Sequence, residues 1–313
     1  MLGTACHIML NASAGTALAQ GVRPEQVIER FTAAGLRVSL DADRARPFGE
    51  RLETARHSPA PLLVAAGGDG TATALAQIAV ETKKTLAVLP LGTANLLARD
   101  LGLPLLVDDW FDALGAMQPR QIDVGEVNGQ IFLHKVVIGA VPGIAAAREH
   151  IRGHFELSAK LAFLSHAARR LSRLRRFAVE ITPADGAPHI ERVQSIAVAN
   201  NDYDEGPGKF FSRTRLDRGK LSLYLLRHLD FGDALRLALR MMLGNWRHDD
   251  VLEIENVAAL EIRTRRRKVR AMLDGEVLML RSPLAFRVRP QALSVLAPTA
   301  EPTMEAGALA EKA

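Results

Sequence analysis

Along the first 120 residues, short runs of apolar side chains alternate with stretches in which apolar residues recur every three or four positions. The runs predict buried strands and the recurring pattern predicts amphipathic helices, as where Val27, Ile28 and Phe31 share one face. This alternation predicts a parallel sheet with helices on both faces. The predicted strands are 7–11, 36–40, 61–66 and 85–89, and the predicted helices are 24–34, 48–56, 73–82 and 95–101.

From residue 121 the pattern changes to short β-rich segments separated by Gly, Pro, Asp or Asn, which is typical of an antiparallel β-sandwich. We therefore predict an α/β domain over 1–120, a β-sandwich domain over 121–297 and a disordered tail over 298–313. Inserted helices are predicted at 156–174 and 231–243. The predicted strands are 122–127, 130–138, 177–182, 195–199, 221–226, 258–264, 269–273 and 285–288.

The charge balance favours anionic partners. The formal net charge is +5, and only eight of the 40 basic residues are lysine. Arginine presents a planar fork that matches phosphate. The aromatic content of 5% is low for a base-stacking protein, and no helix-turn-helix, RRM or zinc-finger pattern is present. We therefore expect phosphate ligands or a membrane surface as partners, and no nucleic acid.

The single cysteine, Cys6, excludes an internal disulfide framework and is predicted to be a buried, small apolar residue. The N-terminus has no basic leader region, and no apolar run reaches the ~18 residues that a membrane span requires. These features predict a cytoplasmic protein that touches the inner face of a membrane from one side.

Two basic segments leave alternatives open. The segment 156–176 ends in ArgArgLeuSerArgLeuArgArg. It is either a helix packed on the sheet with a solvated basic face or a helix that binds anionic headgroups at a membrane surface. The segment 263–270 has strand-like alternation on both sides and is predicted to be a hairpin with a basic turn. That turn either approaches a phosphate or is simply solvated.

The strongest local signal is an apolar strand that runs into Gly67-Gly68-Asp69-Gly70-Thr71 and then into a helix. Glycines let the backbone approach a ligand closely, and the positive end of the following helix favours an anion. A carboxylate among these donors is unexpected for a pure anion site. Asp69 is explained if a Mg²⁺ bridges it to bound phosphates. A simple tight turn remains the alternative explanation of this motif.

A second strand, glycine turn and helix follow at 89–104. Thr93 and Asn95 lie where the helix needs an N-terminal cap, which is one explanation of their presence. The carboxyl ends of neighbouring parallel strands meet at one edge of a sheet. The turn at Gly92 is therefore predicted to join the first loop in one composite phosphate site.

These two motifs together resemble the catalytic domain of the diacylglycerol kinase family, which includes sphingosine kinases and other lipid kinases. Asn11 and Gly15 match an N-terminal Asn-Pro-x-x-Gly loop of that family, with Ala12 in place of the proline, and 273–276 (LeuAspGlyGlu) match its Asp-Gly-Glu segment. Looser matches are AsnAsn at 200–201, the glycines 206 and 208, and 216–221. The resemblance spans nearly the whole chain.

The resemblance implies an N-terminal α/β nucleotide-binding domain like those of NAD kinase and phosphofructokinase, a C-terminal β-sandwich domain for the lipid substrate, and a reaction in the cleft between them. It implies ATP and Mg²⁺ as cofactors and a lipid at the membrane surface as partner. Asp274 would be the general base, Glu276 would support it, and Asp69 would organise the Mg²⁺. The implied ATP-binding residues are Asn11, Gly67, Gly68, Gly70, Thr71, Gly92, Thr93 and Asn95.

Several positions depart from the family pattern. Bacterial members often carry a second, structural Mg²⁺ near an Asp-Gly-x-Leu segment, but here Arg218 follows Asp217 at that place. An arginine could supply the positive charge itself, so we do not expect this metal site. His134 stands where the family has an asparagine, and Leu96 replaces a frequent aspartate. These changes affect the part of the site that would bind the lipid acceptor more than the part that would bind the nucleotide.

The sequence is compatible with three functions. The first is an ATP- and Mg²⁺-dependent kinase of a diacylglycerol-like lipid. The second is NAD kinase, which shares the Gly-Gly-Asp-Gly-Thr loop, although the GlyThrAlaAsn segment at 92–95 favours lipid kinases. The third is a kinase-derived nucleotide- or lipid-binding regulatory module without turnover, which the departures at His134 and Arg218 would suit. An ordinary Asp-Gly hairpin turn is the alternative explanation of Asp274. The acceptor lipid and the oligomeric state stay open.

Overall fold

The computed structural model describes residues 3–11, 14, 15, 17, 21–139, 175–206 and 212–299. The helix predicted at 156–174, Gly208 and residues 300–313 of the predicted tail lie outside this part of the chain. The described helices are α1 (Pro24–Ala33), α2 (Phe48–His57), α3 (Asp69–Thr82), α4 (Leu96–Asp100), α5 (Val107–Leu114) and α6 (Phe231–Leu243), with a 3-10 turn at Trp246–His248.

Two sheets contain all the strands of the described residues, ten in the first and six in the second. In chain order they are β1 (Ala5–Leu10), β2 (Arg37–Asp41), β3 (Leu62–Gly67), β4 (Thr85–Pro90), β5 (Gln118–Val127), β6 (Gln130–Phe132), β7 (Lys135–Ile138), β8 (Phe177–Pro183), β9 (His189–Val193), β10 (Ser195–Asn200), β11 (Leu221–Leu226), β12 (Leu252–Val257), β13 (Ala259–Thr264), β14 (Lys268–Leu273), β15 (Glu276–Arg281) and β16 (Leu284–Ala297).

The N-terminal part of the first sheet is parallel, in the order β2-β1-β3-β4. All six residues of β3 are buried, as the strand lies inside the sheet with helices packed on it. A strand buried on both faces needs apolar residues throughout, which explains the continuous run LeuLeuValAlaAla. The predicted parallel α/β fold of this part of the chain is confirmed.

The last strand, β16, joins the two parts of the molecule. Its end pairs in parallel with β4 at Ser294 and Val295. Its first half pairs antiparallel with β13 at residues 284–287, and its other edge pairs antiparallel with β5 along nearly its whole length. The register shifts between Arg289 and Leu293, where Gln291 adopts a left-handed conformation (φ 49°). The first sheet therefore continues from the α/β part into the sandwich.

The second sheet is antiparallel throughout, in the order β12-β11-β10-β7-β14-β15. It packs face to face on the distal strands of the first sheet. Their shared core contains side chains from both sheets, and the predicted β-sandwich is confirmed. Among the buried residues are Phe132, Val136, Ile138, Val179, Ile181, Val198, Leu223, Ile262, Leu273 and Phe286.

The predicted basic hairpin at 263–270 is wrong. β13 belongs to the first sheet, where it pairs with β8 and β16. β14 belongs to the second sheet, where it pairs with β7 and β15. The basic residues Arg265–Arg267 therefore cross from one sheet to the other. Alternation predicts that a segment is a strand, but it does not determine which strand it pairs with.

Two predicted elements differ in extent from the observed ones. Helix α3 begins at Asp69 and not at residue 73, so three of the five residues of the glycine motif belong to its first turn. The strand predicted over 130–138 is interrupted at Leu133 and His134. At that interruption the backbone N–H groups point to the Asp274 carboxylate instead of a neighbouring strand.

Cys6 is fully buried, as predicted, and burial raises the pKa of its thiol to about 11. A thiol with such a pKa is unreactive near neutral pH. Within the described ranges, no helix combines the length and the apolar character that crossing a bilayer would demand.

Candidate active site

The first glycine loop lies at the carboxyl end of β3 and leads directly into α3. Gly68 precedes the helix in an extended conformation, and Asp69 is the first helical residue. The backbone is tightly packed here, since a Cβ on Gly67 would lie 2.6 Å from the Thr71 hydroxyl oxygen. Gly67 is therefore required for this packing, and the N–H groups of the first turn of the 14-residue helix, which have no partners within the helix, lie beside the loop.

The second glycine loop packs directly against the first. A Cβ on Gly92 would overlap the Cα of Gly68, so Gly92 requires glycine for this close approach, whereas a Cβ on Gly68 would lie 3.3 Å from the Cα of Gly92. The N–H of Leu91 also donates to the Gly67 carbonyl at 3.0 Å. The N-terminal loop joins them, because a Cβ on Gly15 would lie 3.1 Å from the Thr93 hydroxyl oxygen. The three loops thus adjoin one another, as expected for the two glycine turns.

Asn95 holds the second loop together. Its Oδ1 accepts the Gly92 N–H at 2.9 Å, and its Nδ2 donates to the carbonyls of Gly92 at 2.7 Å and Pro90 at 3.3 Å. Asn95 precedes α4 in a left-handed conformation (φ 50°), but its side chain makes no capping hydrogen bond to that helix. The capping explanation of Asn95 is therefore wrong, because the amide is used to shape the turn.

Asp69 links the two glycine loops. Its Oδ1 accepts the N–H of Leu96, the first residue of α4, at 2.5 Å. The carboxylate thus provides the helix cap that Asn95 does not, across 27 residues of sequence. This contact gives Asp69 a structural role in addition to any role in binding a metal.

Asp274 lies in the two-residue turn that joins β14 to β15. Asp274 and Gly275 both have positive φ angles, 47° and 101°, as a tight hairpin turn of this type requires. The turn aims the carboxylate inward, where it is 92% buried. Asp274 therefore lies in an ordinary hairpin turn, as one explanation predicted, and the same turn directs its carboxylate into the protein.

Four donors surround the Asp274 carboxylate. Oδ1 accepts the backbone N–H groups of His134 and Lys135, both at 2.9 Å. Oδ2 accepts the N–H of Leu133 at 2.6 Å and the Thr73 hydroxyl of α3 at 3.2 Å. A carboxylate offers about four acceptor positions, so these bonds fill them. Burial raises the pKa of the Asp274 carboxyl above its usual range, and the three backbone N–H groups oppose that rise.

Glu276 reaches the first glycine loop from the same hairpin. Its Oε1 lies 2.6 Å from the position that a Cβ on Gly70 would take. The carboxylates of Asp69 and Glu276 thus both lie beside Gly70 at the start of α3. Two carboxylates at the positive end of a helix also suit a divalent cation shared with bound phosphates.

A buried cluster that the sequence did not reveal lies behind Asp274. Arg213 donates to Asp100 Oδ2 from Nε at 3.0 Å and from one terminal nitrogen at 2.5 Å. Its other terminal nitrogen donates to the carbonyls of Leu133 at 2.7 Å and Asn200 at 2.6 Å. The His134 Nδ1 lies 2.8 Å from the guanidinium and acts as an acceptor. Burial raises the pKa of Asp100, and the Arg213 charge opposes this rise.

The region around Arg218 contains an ion cluster centred on Asp202. Arg218 contacts Asp202 at 3.0 Å and Asp204 at 3.8 Å, and Lys220 and Arg247 contact Asp202 at 3.0 and 3.4 Å. Burial alone would raise the pKa of Asp202, but the Lys220 ammonium and the Arg218 guanidinium lower it below its usual range. No group of three potential metal-binding side chains occurs in the described residues.

Comparison with known families identifies the chain. The family model for the diacylglycerol kinase catalytic domain matches residues 5–127. The model for the YegS C-terminal NAD kinase beta sandwich-like domain matches residues 139–297, which is just over half of the chain. This chain belongs to the diacylglycerol kinase-like lipid kinase family. The resemblance inferred from the glycine loops and the Asp-Gly-Glu segment is confirmed.

Individual relatives agree with this lipid kinase assignment. A probable lipid kinase YegS-like of Pseudomonas aeruginosa is 30% identical over 86% of this chain and 86% of its own length. A diacylglycerol kinase of Bacillus subtilis is 26% identical over 80% of this chain and 83% of its own. Among solved structures, a putative diacylglycerol kinase from Bacillus anthracis superposes with a TM-score of 0.71 at 20% identity, covering 95% and 98% of the two chains. The similarity to this solved structure supports the fold assigned to the chain, and only the fold.

The structure brings most of the sequence-predicted residues of this lipid kinase family member into one region. Thr71, Gly92 and Thr93 belong to the adjoining loops, and Asp274 and Glu276 contact or border α3. Asn11 follows β1, its N–H bonding the Ala66 carbonyl beside the first glycine loop. The residues that sequence reasoning missed are Thr73 and Asp100, which lie in the helices after the two glycine loops, and Arg213, which belongs to no motif.

Proposed function

We propose that this protein is an ATP- and Mg²⁺-dependent kinase that phosphorylates a hydroxyl of a diacylglycerol-like lipid. One observation carries the proposal: the Asp274 carboxylate bonds to Thr73, four residues beyond Asp69 in the helix that opens from the glycine loop. A buried carboxylate with a raised pKa thus lies one helical turn from a surface suited to nucleotide phosphates. Family membership supports ATP as the phosphate donor.

The nucleotide half of the site binds phosphates through backbone. The Gly67–Thr71 loop leads into α3, whose first-turn N–H groups can face bound phosphates, and the loop around Gly92 packs against it, while Thr93 and Asn11 adjoin these loops. Asp69, with Glu276 beside it, would hold a Mg²⁺ together with the phosphates, and the ion would neutralise charge that develops during transfer.

The acceptor half of the site acts through Asp274. The carboxylate takes the proton of the lipid hydroxyl while that oxygen forms a bond to the γ-phosphorus of ATP. The bond from the γ-phosphorus to the bridging oxygen breaks, and ADP leaves. The hydrogen bond from the Thr73 hydroxyl is the longest of the four that Asp274 accepts. Thr73 is also the only one of these four donors that belongs to a rotatable side chain. We infer that the lipid hydroxyl takes its place.

The test is transfer of label from ATP to lipid. The wild-type protein is incubated with labelled ATP, Mg²⁺ and either diacylglycerol in mixed micelles or a total lipid extract, and labelled lipids are separated. We expect one labelled phospholipid, and no transfer by Asp274→Asn although ATP binding is retained. Transfer by the Asn variant at the wild-type rate would overturn the base assignment. ATP binding without any labelled lipid in the wild type would favour a binding module.

A further inference from the structure

Asp69 and Asp274, two acidic residues of the proposed mechanism, are connected through a ring of hydrogen bonds and helices, called the circuit below. Asp69 accepts the N–H of Leu96, which begins α4, and α4 ends at Asp100. On the other side, Asp274 accepts the Thr73 hydroxyl of α3, the helix that Asp69 begins. The remaining gap in the circuit lies between Asp100 and the backbone that surrounds Asp274.

Arg213 closes that gap. Its guanidinium bonds Asp100 on one side, and on the other it bonds the carbonyl of Leu133 and the ring of His134. The N–H groups of the same two residues donate to Asp274. A peptide whose carbonyl is bonded to a cation is a better hydrogen-bond donor through its N–H, since such bonds polarise one another.

We propose that Arg213 is a positioning residue for phosphoryl transfer. It holds the Asp274 carboxylate at a fixed position relative to the loop that contains Asp69. This inference rests on the proposed function. Arg213 does not act on substrate directly, because its side chain is fully buried and each of its five N–H donors has an acceptor within the protein.

The geometry of the guanidinium explains why arginine is needed. The acceptors come from α4, from the interruption between β6 and β7, and from Asn200 at the end of β10. Only a planar group with five donors can bond all of them at once. A lysine offers three donors on a single atom and would leave carbonyls without a partner.

The experiment uses Arg213→Lys, Arg213→Met and Asp100→Asn in the full-length protein. ATP affinity is measured by direct binding, and kcat and the lipid KM by label transfer. We expect kcat to fall by about tenfold to a hundredfold, because small misplacement of a reacting group has effects of this size. The Kd for ATP should stay within about threefold of wild type, because the hydrogen-bond acceptors of the Arg213 guanidinium, Asp100, Leu133, His134 and Asn200, lie outside the glycine loops.

A double variant and a matched control separate positioning from stability. Asp100→Asn combined with Arg213→Lys should lower kcat no further than the more impaired single variant, since both act through one circuit. The control is Asp249→Asn, which removes another buried carboxylate paired with arginines, Arg236 and Arg240, far from the circuit along the chain. We expect it to lower the melting temperature and to leave kcat unchanged.

Each outcome decides the inference. Wild-type kcat in Arg213→Lys would overturn it, while the proposed function would stand. Parallel loss of ATP binding and kcat, or failure of all three variants to fold, would show a general structural role and would also overturn it. An inactive wild-type protein with every lipid would instead refute the proposed function.

Discussion

At the scale of single residues, the Asp274 carboxylate has two kinds of hydrogen-bond partner. Three partners are backbone N–H groups fixed by the interruption between β6 and β7, and the fourth is the Thr73 hydroxyl. The fixed donors orient the carboxylate. The hydroxyl is the partner that a substrate can exchange, because a side chain can rotate away whereas the backbone cannot.

Thr73→Val removes the exchangeable donor and keeps the side-chain shape. Loss of a hydrogen bond to the charged form raises the pKa of Asp274 further in the free enzyme, so the acid limb of the pH profile of kcat/KM should move to higher pH. The shift should be about one pH unit or less, since such a bond contributes about 1 kcal/mol. Kinetic pH profiles test this, with Thr73→Ser as the control that keeps the hydroxyl. A lower kcat at every pH, with an unmoved limb, would contradict the exchange.

Gly92→Ala tests the contact between the two glycine loops. The added Cβ would overlap the backbone of Gly68, which cannot move aside as a flexible side chain could. We expect a loss of about 1–3 kcal/mol in the free energy of unfolding and much weaker ATP binding.

Gly49→Ala is the matched control for that substitution. Gly49 lies in α2 with no atom within 4 Å of the added Cβ, so the change should be neutral or stabilising by up to about 1 kcal/mol. Denaturant unfolding and ATP titration of both variants provide the comparison. Equal ATP affinity in Gly92→Ala and wild type would refute the composite site.

At the scale of elements, the segment 212–220 organises the sandwich side of the site. It carries Arg213 towards Asp100 and, five residues later, Arg218 towards Asp202. The N–H of Gly219 donates to Asp123 of β5 at 2.6 Å, which ties the segment to the first sheet. We propose that the Arg218 cluster supplies the positive charge that a structural metal would supply elsewhere in the family.

The Asp202 cluster predicts a defined dependence of stability on pH. Because the folded pKa of Asp202 is lowered, its contribution is fully present above the unfolded pKa of about 3.9. It is lost as pH falls through the folded value. We expect the free energy of unfolding to decline less steeply below about pH 4 in Asp202→Asn than in wild type. Denaturant unfolding between pH 3 and pH 6 measures both slopes, and identical slopes would exclude this contribution.

At the scale of the whole molecule, β16 makes the two parts of the fold interdependent. Its last residues, Leu293, Val295 and Leu296, are buried in the core of the α/β part, although they follow the sandwich in the sequence. The turn that carries Asp274 faces α3 across the same junction. The proposed active site therefore depends on contacts between parts of the chain that are far apart in sequence, namely β16 with β4 and the β14–β15 turn with α3.

Removing the end of β16 should unfold the α/β part of the molecule, although β16 follows the sandwich in the sequence. A chain ending at Gln291 loses three buried aliphatic side chains, each contributing about 1.5–3 kcal/mol, and leaves β4 with β3 on one edge and no strand on the other. That loss is comparable to the total stability of many domains. A chain ending at Thr299 keeps all described contacts of β16 and is the control. Thermal unfolding of the two chains tests this, and equal melting temperatures would contradict it.

Much of the nucleotide half of the proposed site could be predicted from the sequence, for a physical reason. The strands at 62–67 and 85–90 are continuous apolar runs, and their glycine turns are short-range signals. Parallel strands place such turns at one edge of a sheet, so neighbouring loops could be inferred without coordinates. Family likeness added the role of Asp274, whose local sequence also fits an ordinary turn.

Strand pairing over long distances was not predictable in this way. The segment 263–270 has the alternation of a hairpin, yet its two strands belong to different sheets. Arg213 has no local signal at all, because it is one of many arginines and its acceptors come from residues up to 113 positions away. Local propensity and periodicity determined the elements and the glycine loops of this protein. Only the tertiary structure decided what surrounds Asp274, because its donors are backbone groups, which every sequence has.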